Sequence, residues 1–231
     1  MFQTDVLDSS PVYRSAAEIN SAMLRVYNHM ALAVLTSMVV SFLISTSPAA
    51  MAFLFTGWMK WIVIFAPLAA VFGVTIALNS DPPKEIAILL LHGFAALMGV
   101  SFATIFIVFK LGSIVSAFFG ASVLFGSMSL YGYFTKKSLE KVGQFMFVGL
   151  IAIVIASIVN IFIGSSVMAM VISALAIVIF LGLTAWDTQQ IREMVSTSSS
   201  PAQEVTGALT LYLNFINIFL SLLQLFGDKK E

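Results

Sequence analysis

The residues best able to do chemistry in this 231-residue chain stand near its C-terminal end. Thr210, Asn214, Asn217, Ser221 and Gln224 recur at spacings of four, three, four and three, which aligns them on one face of a helix. The rest of that helix is almost wholly apolar, and an unsatisfied amide in hydrocarbon costs several kcal/mol. The stripe therefore faces protein or water. Either its amides join the last helix to its neighbours, or they line a wet path, and both readings make that helix central. Asp187 follows directly on Trp186, where an apolar run ends. It is either an interfacial helix-end charge or an acid enclosed with Thr188, Gln189 and Gln190 against the start of the last helix. An enclosed carboxylate can sense protons or bind a cation.

Other polar residues carry weaker signals. His92 is a lone membrane histidine, which a neighbour's hydrogen bond explains as well as a relay does. Arg25, Tyr27, Asn28 and His29 crowd the entrance of an apolar run as interfacial anchors, and Asn160 either caps a helix end or joins the polar interior. With two histidines and no cysteine there is no ligand cluster at metal-binding spacing. No nucleophile elbow, zincin motif, phosphate loop or pair of intramembrane acids is legible, so neither catalysis nor a cofactor is expected. Eleven basic and eleven acidic residues balance, which argues against a nucleic-acid partner.

The elements that must position these groups are membrane helices. The chain is 60% hydrophobic and 10% charged, too apolar to hide its surface in a soluble core. Apolar runs predict seven transmembrane segments, at about 26–44, 61–78, 86–109, 112–134, 142–163, 167–186 and 207–226. Pro67 lies inside the second and tends to kink it; Ser80 or Asp81 is the expected cap of the third, with Pro82 in its first turn. A polar segment, 1–25, precedes them and a charged tail, 227–231, follows. The expected fold is an all-α integral membrane protein, one seven-helix bundle with the last helix central. The first 25 residues lack an apolar core and a small-residue cleavage site, so the first helix is expected to act as its own insertion signal.

Charge decides the expected orientation. Arg14, Arg25, Lys84, Lys136, Lys137, Lys141 and Arg192 fall on the side of the N-terminus, against Lys60, Lys110, Lys229 and Lys230 on the other, which places the N-terminus in the cytoplasm. A final helix that enters and returns would move the last two lysines across. Gly112, Ser116 and Gly120 repeat every four residues in the fourth segment, and Ala95 and Gly99 do so in the third, as in helices that approach closely.

Three blocks, Leu24-Arg25-Val26-Tyr27-Asn28-His29-Met30, Leu183-Thr184-Ala185-Trp186-Asp187-Thr188-Gln189 and Leu211-Tyr212-Leu213-Asn214-Phe215-Ile216-Asn217-Ile218-Phe219, resemble the Bax-inhibitor-1 family, most closely its bacterial members. The resemblance implies an inner-membrane protein whose last helix is surrounded by the other six. It also implies a pH-controlled Ca²⁺ leak in some members, where two aspartates after segment six and in segment seven share protons and latch the pore. Asp187 matches the first position; Asn214 occupies the second and cannot titrate. No arginine stands around Asn79 to Pro83 to supply the basic partner of some relatives. The resemblance together with the stripe makes Asp187, Asn214, Asn217 and Ser221 the gate or ion-path candidates, and the resemblance implies Ca²⁺ and protons as partners besides the bilayer. It also implies an alternative, an interaction protein that modulates a membrane AAA protease or a stress response through its polar N-terminal segment.

Overall fold

The computed structural model describes residues 14–230. The described chain is helical throughout: α1 (Ala16–Ser45), α2 (Pro48–Phe55), α3 (Met59–Asn79), α4 (Lys84–Phe102), α5 (Ile105–Val108), α6 (Leu111–Phe134), α7 (Glu140–Ile163), α8 (Ser166–Thr197) and α9 (Pro201–Phe226). Seven stretches are long and apolar enough to cross a membrane, α4 and α5 together forming the third. This is an all-α, multi-pass membrane bundle.

Local chemistry sets the helix ends. Ser15 and Glu18 form a reciprocal capping box that starts α1 ten residues before the apolar run at 26. The expected polar segment 1–25 is therefore corrected: residues 16–25 belong to α1, and residues 1–13 lie outside the described residues, as does Glu231 of the tail. The third span is capped by neither Ser80 nor Asp81, because α4 begins after Pro83 without a side-chain cap and Asp81 takes a left-handed φ of 53°. That span breaks at Ala103–Thr104 into α4 and α5. Pro67 stays within an unbroken α3. Asn160 closes α7, its Oδ1 accepting the Ser165 N–H at 3.1 Å beside left-handed Gly164.

The largest departure lies at the end of α8. The apolar run stops at Trp186, but the helix continues to Thr197, since Gln189, Gln190, Arg192, Glu193 and Met194 favour helix and no breaker intervenes before Pro201. Ser200 caps α9 and Pro201 opens it, six residues before the expected Gly207. What read as a long polar loop is thus two extended helices and a turn of three residues, Ser198–Ser200.

Helix α9 packs against α8, α1 and α6, and also against α3 and α4, while α7 packs on α8. The last helix is central, with five spans around it in place of the implied six. It also runs the length of the bundle. At one end Ser200 donates to the Asp81 carboxylate in the α3–α4 turn; at the other, Lys229 pairs with Phe109, the Lys110 N–H reaches the Asp228 carbonyl at 2.9 Å and the Lys230 N–H reaches the Val108 carbonyl at 2.8 Å. The tail is pinned beside the link between the third and fourth spans, so α9 runs from one end of the bundle to the other.

Candidate functional site

Three layers of polar contacts gather where α8, α9, α1 and α6 meet, on the side of the bundle that holds the N-terminus. The outermost is ionic. Arg25 on α1 grips Glu204 with both prongs, Nε to Oε2 at 2.7 Å and Nη2 to Oε1 at 2.6 Å, and Glu204 is only 6% exposed. Arg14 stands 4.0 Å from the same carboxylate and donates to the carbonyls of Val195 at 3.2 Å and Ser198 at 3.0 Å, tying the start of the described chain to the α8–α9 turn.

One turn deeper, hydroxyls link three helices. Tyr27 of α1 and Ser129 of α6 are 2.6 Å apart, and Ser129 and the fully buried Thr188 of α8 are 3.0 Å apart. Beside Thr188, Asp187 accepts a hydrogen bond from Asn214 Nδ2 at 2.6 Å. Asn214 is buried and Asp187 half-buried. Ten residues separate Asp187 from the end of α8, which sets the pair about 15 Å in from the turn at 1.5 Å per residue. Asp187 is thus enclosed against the last helix, the second of its two sequence readings.

Close backbone packing fixes the carboxylate's place. Gly132 of α6 lies so near that a Cβ there would come within 2.1 Å of the Ala185 carbonyl oxygen. A Cβ on Gly143 of α7 would meet the Trp186 ring at 2.1 Å. The two residues before Asp187 are therefore held against different helices, and the one after it is hydrogen-bonded to a third side chain. Gln189 adds a staple to the α6–α7 loop: it accepts the Leu139 N–H at 2.8 Å and donates to the Lys137 carbonyl at 3.0 Å.

The stripe on α9 divides. Asn214 reaches across to α8, whereas Asn217 returns its amide to the Leu213 carbonyl at 2.8 Å and Thr210 its hydroxyl to Thr206 at 3.1 Å, both within α9. Ser221 is half-buried and Gln224 exposed, so the stripe follows the border of the buried face and leads outward. Of the stripe's two asparagines, Asn214 bonds across to another helix and Asn217 within its own. Past Asp187 the α6–α9 interface is filled by edge-to-face phenyl rings, Phe125 on Phe215 at 5.7 Å, Phe215 on Phe118 at 5.5 Å and Phe118 on Phe219 at 6.4 Å.

Among the small residues, Gly99 does what its spacing suggests: a Cβ would meet the Ser37 carbonyl oxygen of α1 at 2.6 Å. A Cβ on Gly120 would make ordinary contact with Leu222 at 3.4 Å, while one on Gly112 would meet nothing within 4 Å and Ser116 is exposed, so Gly112 and Ser116 line an open groove beside Asp228 and are corrected as packing residues. His92 Nδ1 lies 2.8 Å from Thr36, a local partner. Glu204, Ser129, Gly132 and Gly143 were not singled out in the sequence. The available signal for Glu204 was an acid just before the last apolar run, on the same side as Arg14 and Arg25.

Residues 19–231 match the family model described as Inhibitor of apoptosis-promoting Bax1. Inner membrane protein YbhL of Escherichia coli K12 is 36% identical over 229 residues, covering 96% of this chain and 97% of the relative. A Rickettsia prowazekii protein is 38% identical over 214 residues, covering 90% of each chain, and a Caulobacter vibrioides protein 35% identical over 229 residues, covering 93% of this chain and 91% of its own.

Proposed function

The chain belongs to the Bax inhibitor-1 family, and from that premise we propose that it is a proton-sensitive cation leak, for Ca²⁺, of the bacterial inner membrane. One observation carries the reading: a carboxylate held inside the bundle, Asp187, hydrogen-bonded at 2.6 Å to the central helix. Ionised, Asp187 accepts a charge-assisted bond from Asn214, about twice as strong as the neutral bond that remains after protonation. Protonation therefore loosens the α8–α9 latch, and the phenyl stack beyond it can part. Flux rises as pH falls, with one titrating group in place of the paired acids of other members. The N-terminus is cytoplasmic in this reading, so cytoplasmic acidity is the signal. Transport, not turnover, is the activity.

Ca²⁺ uptake by proteoliposomes across pH tests it. The natural chain should exceed empty vesicles and gain flux toward low pH, and Asp187→Asn should show flux without that pH dependence. Uptake equal to empty vesicles at every pH removes the proposal. A second reading, an interaction protein acting on a membrane protease, is favoured by one contact: the Arg14 N–H bonds the Ser196 carbonyl at 3.0 Å, so the described chain begins beside the α8–α9 turn, a polar surface that a partner could meet. Pull-down from membranes with and without residues 1–13, alongside the flux assay, separates the two.

A further inference from the structure

Helices α1 and α6 meet through side chains, Tyr27 with Ser129 and Asn20 with Tyr133. Between them lies a cavity of about 300 Å³, floored by Phe215, Ile216 and Phe219 of α9 and walled by α5. That volume is at the small end of ligand pockets. Met38, Val115 and Phe119 line it and are also exposed on the outside of the bundle, so its mouth opens sideways onto the lipid-facing surface.

Two serines stand in this apolar wall, and Ser37 is already bonded, to the Ala95 carbonyl at 2.7 Å and to the Tyr212 hydroxyl at 2.7 Å. Ser41 lines the cavity, is 2% exposed, and its Oγ has no hydrogen-bond partner. Helical serines elsewhere in the bundle return their hydroxyl to the carbonyl one turn back, as Ser122 and Ser127 do. A buried hydroxyl left unpaired is costly, and Ser41 stands four residues from the end of α1, where the hydrocarbon layer gives way to the polar interface.

We propose that this cavity holds one acyl chain of a bilayer phospholipid, entering between α1 and α6, with its ester carbonyl accepting a hydrogen bond from Ser41. The chain matches the apolar wall, and the ester is an acceptor placed where the chain leaves the hydrocarbon. A helix from a second copy, about 10 Å across, does not fit a space of this size. The inference is independent of the leak activity.

Photo-crosslinking tests it. The full chain is reconstituted in phosphatidylethanolamine and phosphatidylglycerol vesicles containing a trace of phosphatidylethanolamine with a mid-chain diazirine, and labelled residues are mapped by mass spectrometry. Buried Phe215 should be labelled, as should the outward-facing Phe162 of α7. Val115→Trp, which plugs the mouth, should abolish labelling at Phe215 and spare Phe162. Ser41→Ala should lower Phe215 labelling about fivefold, the worth of one hydrogen bond. No label at Phe215 in the natural chain, or label there that Val115→Trp leaves unchanged, overturns the proposal. Label that a diazirine alkane without an ester gives equally well, insensitive to Ser41→Ala, overturns the ester contact.

Discussion

Helix α6 has two faces packed in opposite ways. Toward α8 it is fused by glycine: Gly132 admits the Ala185 carbonyl so closely that no side chain fits between them. Toward α1 it is joined by the Tyr27–Ser129 and Tyr133–Asn20 contacts, with cavities lying between the two helices. The difference teaches which parts of the bundle are fixed and which can yield. Residues 185–188 are held by α6 and α7, so Asp187 has a defined place. The α1–α6 seam is where movement is cheap, because only a few side-chain contacts must be given up.

Breaking the tight face should have the largest effect. Gly132→Val forces the α6 and α8 backbones apart and should destabilise by about 3 kcal/mol, seen as a lower thermal unfolding temperature in micelles. Glu204→Gln comes next. It leaves Arg25 facing a neutral amide, but Arg25 is 43% exposed in its side chain and water offsets part of the loss, so about 2 kcal/mol is expected from the same assay. Tyr27→Phe removes one contact across the loose seam and should cost about 1 kcal/mol while widening it, read as faster hydrogen exchange at the α1 and α6 amides. Gly112→Ala, a glycine of the same helix with open space around it, should change stability by less than about 0.5 kcal/mol.

The seven spans were legible because hydrocarbon demands long apolar runs, and Asp187 and Asn214 were legible because polar groups stand out against them. Helix ends beyond the membrane were not. Asp187 to Thr197 reads as loop when polarity is the only guide, yet a helix that leaves the bilayer keeps its own propensity. The eight-residue α2 escaped because it is too short to span. Side-chain direction was also hidden. A period of three and four residues places Asn214 and Asn217 on one face, but only the packing of α8 decides that Asn214 reaches Asp187 while Asn217 folds back on Leu213. Glycine showed the same limit: Gly112 and Gly120 carry the repeat, whereas Gly132 and Gly143 carry the close approaches, and which glycine meets a neighbour depends on where the helices cross.

The most direct test of the account is the pH profile of Ca²⁺ flux in Asn214→Asp set beside the natural chain and Asp187→Asn. A lone acid in the natural chain predicts a profile that fits one proton, a flat one in Asp187→Asn, and two separated steps in Asn214→Asp, where two carboxylates in contact cannot both ionise freely. A natural profile that survives Asp187→Asn unchanged would contradict the assignment of Asp187 as the gate.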